Sequence, residues 1–430
     1  MRPQSIPLKR YLIVALIIFW FPLLSGAQEI TQLTLEQAFH VAESNYPLLL
    51  QKGILRQTEK LNIENLNTNY LPQPGVNGQA TYQSDITKVD IPLPGIKIPS
   101  PSKDQYRLIG EVNQLLYDAG MTKTQKELQS LNTSVELNKV GVELYNLKQR
   151  INSLYFAVLL QNQLLAQTQL SLKDIQLGID KVKPQVDNAI VLKSNLDILQ
   201  AELLQAQEKT EEIKATRKGF IDALSILIHQ EISDAAEFLL PVVNTPLDTT
   251  ISRPELNVFE NQKLLFAGQQ KLIDVRNRPK ASAFLQTGYG KPGLNLLSNE
   301  FKGYYITGLR FTWSLNGFYT RNRDEKLLQL NEQSVDLQKQ TFLLNTNSQL
   351  KQLEAEVTKF EKLISIDKQI IELRRKVTEA SKAQLENAVI TANDYMLQVN
   401  AENKAGENLV LHQLQLLQAK VNYAITIGKL

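Results

Sequence analysis

The sequence predicts a mainly α-helical, elongated protein with a small β part that cannot close on itself. Three observations lead there. Apolar residues recur at heptad-like spacing over runs too long for a compact domain, short strands alternate strictly between apolar and polar, and landmarks recur at a fixed offset.

Arg2, Lys9 and Arg10 precede an apolar run from Tyr11 to Leu24, and Ser25-Gly26-Ala27 places small residues before Gln28. Residues 1–27 read as a cleaved secretory signal. The run is shorter than the roughly 20 residues of a membrane-spanning helix. The chain has 47 basic and 44 acidic residues, and the signal holds three of the basic ones. The remaining chain is balanced, with no block of like charge and no electrostatic footprint for nucleic acid. The absence of cysteine excludes disulfides, thiolate metal sites and a lipid-modified N-terminal cysteine.

Pro47, Pro72 and Tyr82 recur as Pro254, Pro279 and Tyr289, all at an offset of 207, while Gly120 pairs with Gly317 at 197. The shortfall matches an extra loop in the first copy, marked by Pro92, Pro94, Pro99 and Pro101. The expected organisation is a tandem duplication, 28–245 and 246–430, each unit holding a helix, a strand pair and long helices. The opening helices are expected over Leu35 to about Tyr70 and Pro254 to about Asn277, each ended by a proline that disfavours helix in the residue before it.

Strands are expected at Val76 to Gln83, Leu108 to Tyr117, Ala281 to Gly290 and Tyr304 to Leu315. Asn77, Gln79 and Thr81 share one side of the first, with Tyr82 on the other; in the last, Arg310 and Thr312 oppose Tyr305, Phe311 and Trp313. Beyond the strands, positions stepping 3,4,3,4 from Leu137 to Val182 are apolar everywhere but Gln161 and Thr168. That is a supercoiling signal. The second unit shows Leu350, Leu353, Val357, Phe360 and Ile364, with an adjacent stripe of Leu363, Ile366, Ile370, Leu373 and Val377. Two stripes suit a helix packed on both sides, as in a ring or bundle. Gly120 to Asp187 and Gly317 to Glu386 would each reach on the order of 100 Å at about 1.5 Å per residue.

Four strands with one lipid-compatible face cannot seal themselves, since open edges in hydrocarbon leave backbone groups unpaired at several kcal/mol each. Two chains would supply eight strands and a filled interior, three would supply twelve and a lumen. On this reading Asn77, Gln79, Thr81, Glu111, Asn113, Arg310 and Thr312 face water in the lumen. Tyr82, Tyr289, Tyr305, Phe311 and Trp313 face the membrane, with Tyr and Trp suited to interfacial girdles.

Leu33-Thr34-Leu35-Glu36-Gln37-Ala38 through Asn45-Tyr46-Pro47 resembles the start of the TolC-like outer-membrane efflux proteins, and Ser252-Arg253-Pro254-Glu255-Leu256 the start of their second repeat. Leu116-Tyr117-Asp118-Ala119-Gly120 and Trp313-Ser314-Leu315-Asn316-Gly317-Phe318 resemble the segments leaving each second strand. Ser194 to Glu202 and Thr391 to Tyr395 are similar to the returning helices just past the periplasmic tip. The resemblance implies a homotrimer with one 12-stranded barrel in the lipid of the outer membrane and an α-barrel of antiparallel coiled-coil helices in the periplasm. It implies docking to a periplasmic adaptor (membrane fusion) protein and an inner-membrane pump of the resistance-nodulation-division type, with tip or docking residues Asp187, Ser194, Asp197, Glu386, Thr391 and Tyr395. It also implies a periplasmic constriction ringed by aspartates, matched here by Asp394; a neighbouring acidic position of some relatives is Leu397 here. Three such carboxylates near an axis would raise one another's pKa and attract cations, whereas the plainer role for Asp394 is to cap a helix.

No enzyme chemistry is legible. His40, His229 and His412 are far apart, no phosphate loop follows a strand and no G-x-S-x-G occurs, so neither cofactor nor metal is expected. The function expected is a passive exit duct for small molecules or drugs. The outer-membrane channel of a type I protein-secretion system is the alternative within transport. A structural or adhesive coiled-coil envelope protein is the alternative outside it, and it leaves the strand pairs unexplained.

Overall fold

The computed structural model describes residues 30–87, 100–242, 250–387 and 389–430. The signal segment, Pro92, Pro94, Pro99 and the expected boundary between residues 245 and 246 lie outside the described residues. In chain order the elements are β1 (Ile30–Leu33), α1 (Leu35–Asn45), α2 (Leu48–Asn67), β2 (Gln73–Tyr82), β3 (Asp104–Tyr117), α3 (Met121–Asp187) and α4 (Lys193–Ile228). There follow β4 (Ile232–Phe238), α5 (Pro254–Arg276), β5 (Lys280–Lys291), β6 (Lys302–Thr312), α6 (Gly317–Glu386) and α7 (Ala392–Ile427). Among the described residues, no helix is long and apolar enough to cross a membrane.

Sequence and structure differ at the first helix. Thr34 starts α1 with a capping box, its hydroxyl accepting from the Gln37 N–H at 3.1 Å while Gln37 accepts from the Thr34 N–H at 2.9 Å. Pro47 then divides the expected single helix, because its ring pushes Tyr46 into extended geometry (φ −67, ψ 127) before α2 begins. In the second half Pro254 sits in the first turn of α5, where its missing N–H has no intrahelical partner to lose, and the helix is continuous to Arg276.

The helices run side by side. α2, α3, α5 and α6 are neighbours near the sheet, while α3 pairs with α4 and α6 with α7 toward the far end. At 67 and 70 residues, α3 and α6 each extend about 100 Å. Every heptad position from Leu137 to Val182 is buried or half-buried. On α6, Leu350, Leu353, Val357 and Phe360 are buried, but Ile366, Ile370, Leu373 and Val377 are exposed, Leu373 at 63%. Among the described residues that second stripe stays largely uncovered within the protomer.

About halfway along α3 lies the main core, where Ile151, Tyr155, Val158 and Leu159 meet α1, α4, α7 and a two-stranded parallel sheet of β1 and β4. This small sheet was not expected from the sequence. β4 buries Ile232, Ala236 and Phe238, but Asp234 breaks the alternation by turning out to Lys218 at 3.1 Å.

The junction from β3 into α3 is organised by Asp118, which is buried and accepts from the Gly120 N–H at 2.9 Å, the Thr122 N–H at 2.7 Å and the Tyr70 hydroxyl at 3.1 Å. Ala119 and Gly120 both take positive φ (59 and 87) to bring those amides round. Burial alone would raise the Asp118 pKa, but the hydrogen bonds from the Thr122 side chain and N–H, the Gly120 N–H and Tyr70 together hold it below the ordinary carboxylate value. Asp118→Ala should destabilise by about 1–3 kcal/mol at neutral pH, because the donors from Tyr70, Gly120 and Thr122 lose their acceptor. A depressed folded pKa contributes stability that is present above the unfolded value of about 3.9 and is lost as pH falls through the folded one. Urea unfolding of wild type and variant should therefore converge as pH drops below about 4.

Candidate functional site

β2, β3, β5 and β6 form one antiparallel sheet in that order, leaving β2 and β6 as open edges. Its register assigns each side chain to a face, since residues opposite one another in an antiparallel pair point the same way. Asn77 pairs with Ile109, Glu111 with Gln286, Asn113 with Phe284, Ser282 with Arg310 and Lys280 with Thr312. All seven expected lumen residues therefore share one face: Asn77, Gln79, Thr81, Glu111, Asn113, Arg310 and Thr312. Arg310 and Glu111 form an ion pair at 3.4 Å, and the Arg310 guanidinium lies over the Phe284 ring at 4.7 Å. On this face Tyr304 lies flat over Gly288, where an added Cβ would come within 2.3 Å of the ring. Glycine is needed there for close approach, and the aromatic stays low on the sheet.

The opposite face carries Val76, Ala80, Tyr82, Leu108, Val112, Leu285, Tyr289, Tyr305, Leu309 and Phe311. Strand alternation in the sequence already places Val76, Ala80 and Tyr82 together, and likewise Tyr305, Leu309 and Phe311, with Tyr289 the expected membrane-facing residue of β5. Most are well exposed, Tyr305 at 73% and Phe311 at 77%. The charged groups on this face are Asp104 and Lys291 at its loop end, paired with each other at 3.5 Å. Aromatic residues gather at its two ends. Tyr289 and Tyr106 both stack on Phe301, at 5.7 and 6.3 Å, beside the loops. Phe311 lies at the helical end opposite Ala281, itself paired with Tyr117. Trp313 falls just past β6 and donates from its indole N–H to the Asn277 carbonyl at 2.9 Å. From Tyr289 to Ala281 the strand covers on the order of 26 Å. Tyr106, Tyr117 and Phe301 are not among the expected residues: period-two alternation extended along β3 finds Tyr106, but Tyr117 has the opposite parity and reaches this face only through the register shift between Leu115 and Tyr117.

At the other end of the rods the turns between α3 and α4 and between α6 and α7 meet. Ile175, Ile179, Val182 and Leu199 pack with Leu385, Ala392, Tyr395 and Met396. Lys181 pairs with Glu386, the Gln185 side-chain N–H donates to the Glu386 carbonyl at 3.1 Å, and the Ala392 N–H donates to Asn195 at 3.0 Å. Asp187, Ser194, Asp197, Glu386 and Thr391 are exposed at these turns, whereas Tyr395 is buried between the hairpins. In the protomer Asp394 belongs to a helix cap. It accepts from the Thr391 hydroxyl at 2.7 Å and the Thr391 N–H at 3.1 Å, and its own N–H donates to the Thr391 hydroxyl. Those bonds, the hydroxyl first, lower its pKa, so the capping geometry favours the charged form. Asp394 and Leu397 are both exposed.

Between α6 and α7 the His412 Nδ1 lies 2.6 Å from the buried carboxylate of Asp367, a link that sequence spacing did not reveal. Among the described residues no three His, Asp or Glu side chains stand together in a way that could hold a metal ion.

Paired helical rods about 100 Å long, one open four-strand antiparallel sheet and an order of helix, strand pair and long helices met twice define the fold of the TolC-like outer-membrane channels. Among solved structures, the chain is similar to the outer-membrane channel OprN at 12% identity, over 92% of this chain and 90% of that one, with a TM-score of 0.66. It is similar to the outer membrane protein VceC from Vibrio cholerae at 12% identity, over 92% and 97%, with a TM-score of 0.65. For CusC, whose structures are described with transmembrane channel formation, the values are 11%, 95% and 96%, and 0.65. No family model and no curated protein sequence matches the chain.

Proposed function

We propose that this chain is one protomer of a homotrimeric outer-membrane exit duct that conducts small molecules passively and has no enzymatic activity. The observation that carries the reading is the sheet: one continuous exposed apolar face, one polar face and two unpaired edges, mounted on rods about 100 Å long. Three sheets joined edge to edge would close a twelve-stranded barrel, lipid on the apolar side and water on the other. The uncovered stripe Ile366, Ile370, Leu373 and Val377 would pack on a neighbouring protomer in the helical tunnel. The chain is exported by residues 1–27 and consists of two copies of one unit, 28–245 and 246–430. At the tip, the exposed turns bearing Asp187, Ser194, Asp197, Glu386 and Thr391 meet a periplasmic adaptor and an inner-membrane pump, which supplies the energy.

Fractionation tests the reading. The protein should be recovered in the outer membrane as a trimer whose gel mobility changes on boiling, and the purified trimer should form ion channels in planar bilayers. A water-soluble monomer without affinity for detergent or lipid would refute it.

Within this duct Asp394 is proposed to line the periplasmic constriction in addition to capping α7. Replacing it with Ala should weaken block of the channel by multivalent cations or change its conductance. If neither moves, Asp394 is a helix cap alone.

A further inference from the structure

We propose that the polar face of the sheet makes the barrel an electropositive filter favouring small anionic solutes over cations, with Arg107 and Lys280 setting the preference. This rests on the channel reading, in which that face lines water. By register the face carries Arg107, Lys280, Lys302 and Arg310 against one acidic residue, Glu111. Two of the four cations are neutralised locally: Arg310 by Glu111 at 3.4 Å, and Lys302 by Glu300 at 3.1 Å. Arg107 and Lys280 have no ion-pair partner among the described residues, and both are half-buried against the sheet. The Arg107 stem runs over Gly290, where an added Cβ would meet its Cγ at 3.1 Å. The side chain is thus laid along the wall on the polar side.

Placement matters as much as number. Arg107 pairs with Gly290 and Gln79 toward the loop end, while Lys280 pairs with Thr312 beside the helices. The two levels are on the order of 33 Å apart along β5, so the unbalanced charge extends over most of the barrel rather than forming a patch at one mouth. Three protomers would turn each level into a ring. Low-dielectric walls focus the field of such rings into the lumen, and rings of Arg or Lys are a recognised means of anion selection. The screening length is about 10 Å at 0.1 M salt and about 3 Å at 1 M, so the preference should fade as salt rises. The Asp394 constriction acts in series at the opposite end, so the barrel's share is read as a change against an unaltered tip.

The test is the reversal potential of the purified full-length trimer in planar bilayers under a KCl gradient. Replacing Arg107→Gln with Lys280→Gln should lower the chloride-to-potassium permeability ratio about threefold near 0.1 M salt, with a much smaller change near 1 M. Arg107→Lys with Lys280→Arg should restore the wild-type potential. An unchanged potential in the neutralised trimer would overturn the filter while leaving the channel in place. Should that variant not assemble, a wild-type permeability ratio indifferent to salt would overturn it equally. Wild-type trimers that carry no current at all would sink the channel reading, and the filter with it.

Discussion

A Leu285→Lys chain should be exported yet fail to form a stable trimer in the outer membrane. Leu285 lies on β5, paired with Val112 on one side and Thr307 on the other, at the middle of the apolar face. In the protomer its side chain is 49% exposed, so lysine there disturbs none of the helical core. In a bilayer the same change puts a cation near the midplane at a cost of about 2–4 kcal/mol, repeated in every protomer. Gln286→Lys is the matched control. It lies one residue along on the polar face, so the same charge would enter water and the trimer should assemble. Outer-membrane recovery and gel mobility before and after boiling distinguish the two. Equal assembly of both variants would mean that the apolar face does not meet lipid.

The sequence made that face legible because a period of two survives wherever one side of a strand is selected for lipid or core and the other for water. The long helices were legible for a related reason. Heptad spacing accumulates over six heptads, so local exceptions such as Gln161 and Thr168 do not hide it, and both are half-buried in the seam. Short elements lack that averaging. β4 has seven residues, and its alternation fails at Asp234, whose side chain is drawn out by Lys218, so nothing local marked it as a strand. The break at Tyr46-Pro47 is written in the sequence, since a proline pushes the residue before it out of helical geometry.

The site divides the same way. Residue type and parity identified which strand positions share a face, but not that Glu111 and Arg310, 199 positions apart, would neutralise each other. That pairing required the contact between β3 and β5 across the two halves of the chain, and it is what leaves Arg107 and Lys280 as the unbalanced charges. His412 with Asp367 is hidden for the same reason, since two helices must fold back before the residues meet. At the tip, the resemblance of Thr391 to Tyr395 to a returning helix places Tyr395 among the docking residues. A helix turns about 100° per residue, and that rotation takes it into the core between the hairpins.

Tyr155 offers the sharpest test of how the rod is held to its middle. It is fully buried, with its ring 5.2 Å from that of Phe238, and its hydroxyl lies 2.8 Å from the Leu33 carbonyl and 2.7 Å from the Leu239 carbonyl. One O–H can donate to only one carbonyl at a time, so the two share it, and each belongs to an end of the β1–β4 pair. Burial pushes the hydroxyl's pKa far above the ordinary tyrosine value, against a smaller opposing effect of the Leu239 bond, so the neutral, donating form is favoured. Tyr155→Phe keeps the ring and removes the shared donor, which should cost about 1–3 kcal/mol. Tyr155→Ala also empties the space the ring fills, at about 3–5 kcal/mol for a large aromatic residue. The Ala variant should therefore lower the urea midpoint well beyond the Phe variant and expose residues around Leu33 to protease, because among the described residues β4 is the one strand that pairs with β1. An Ala variant as resistant as wild type on both counts would show that β1 is fixed by something other than this clamp.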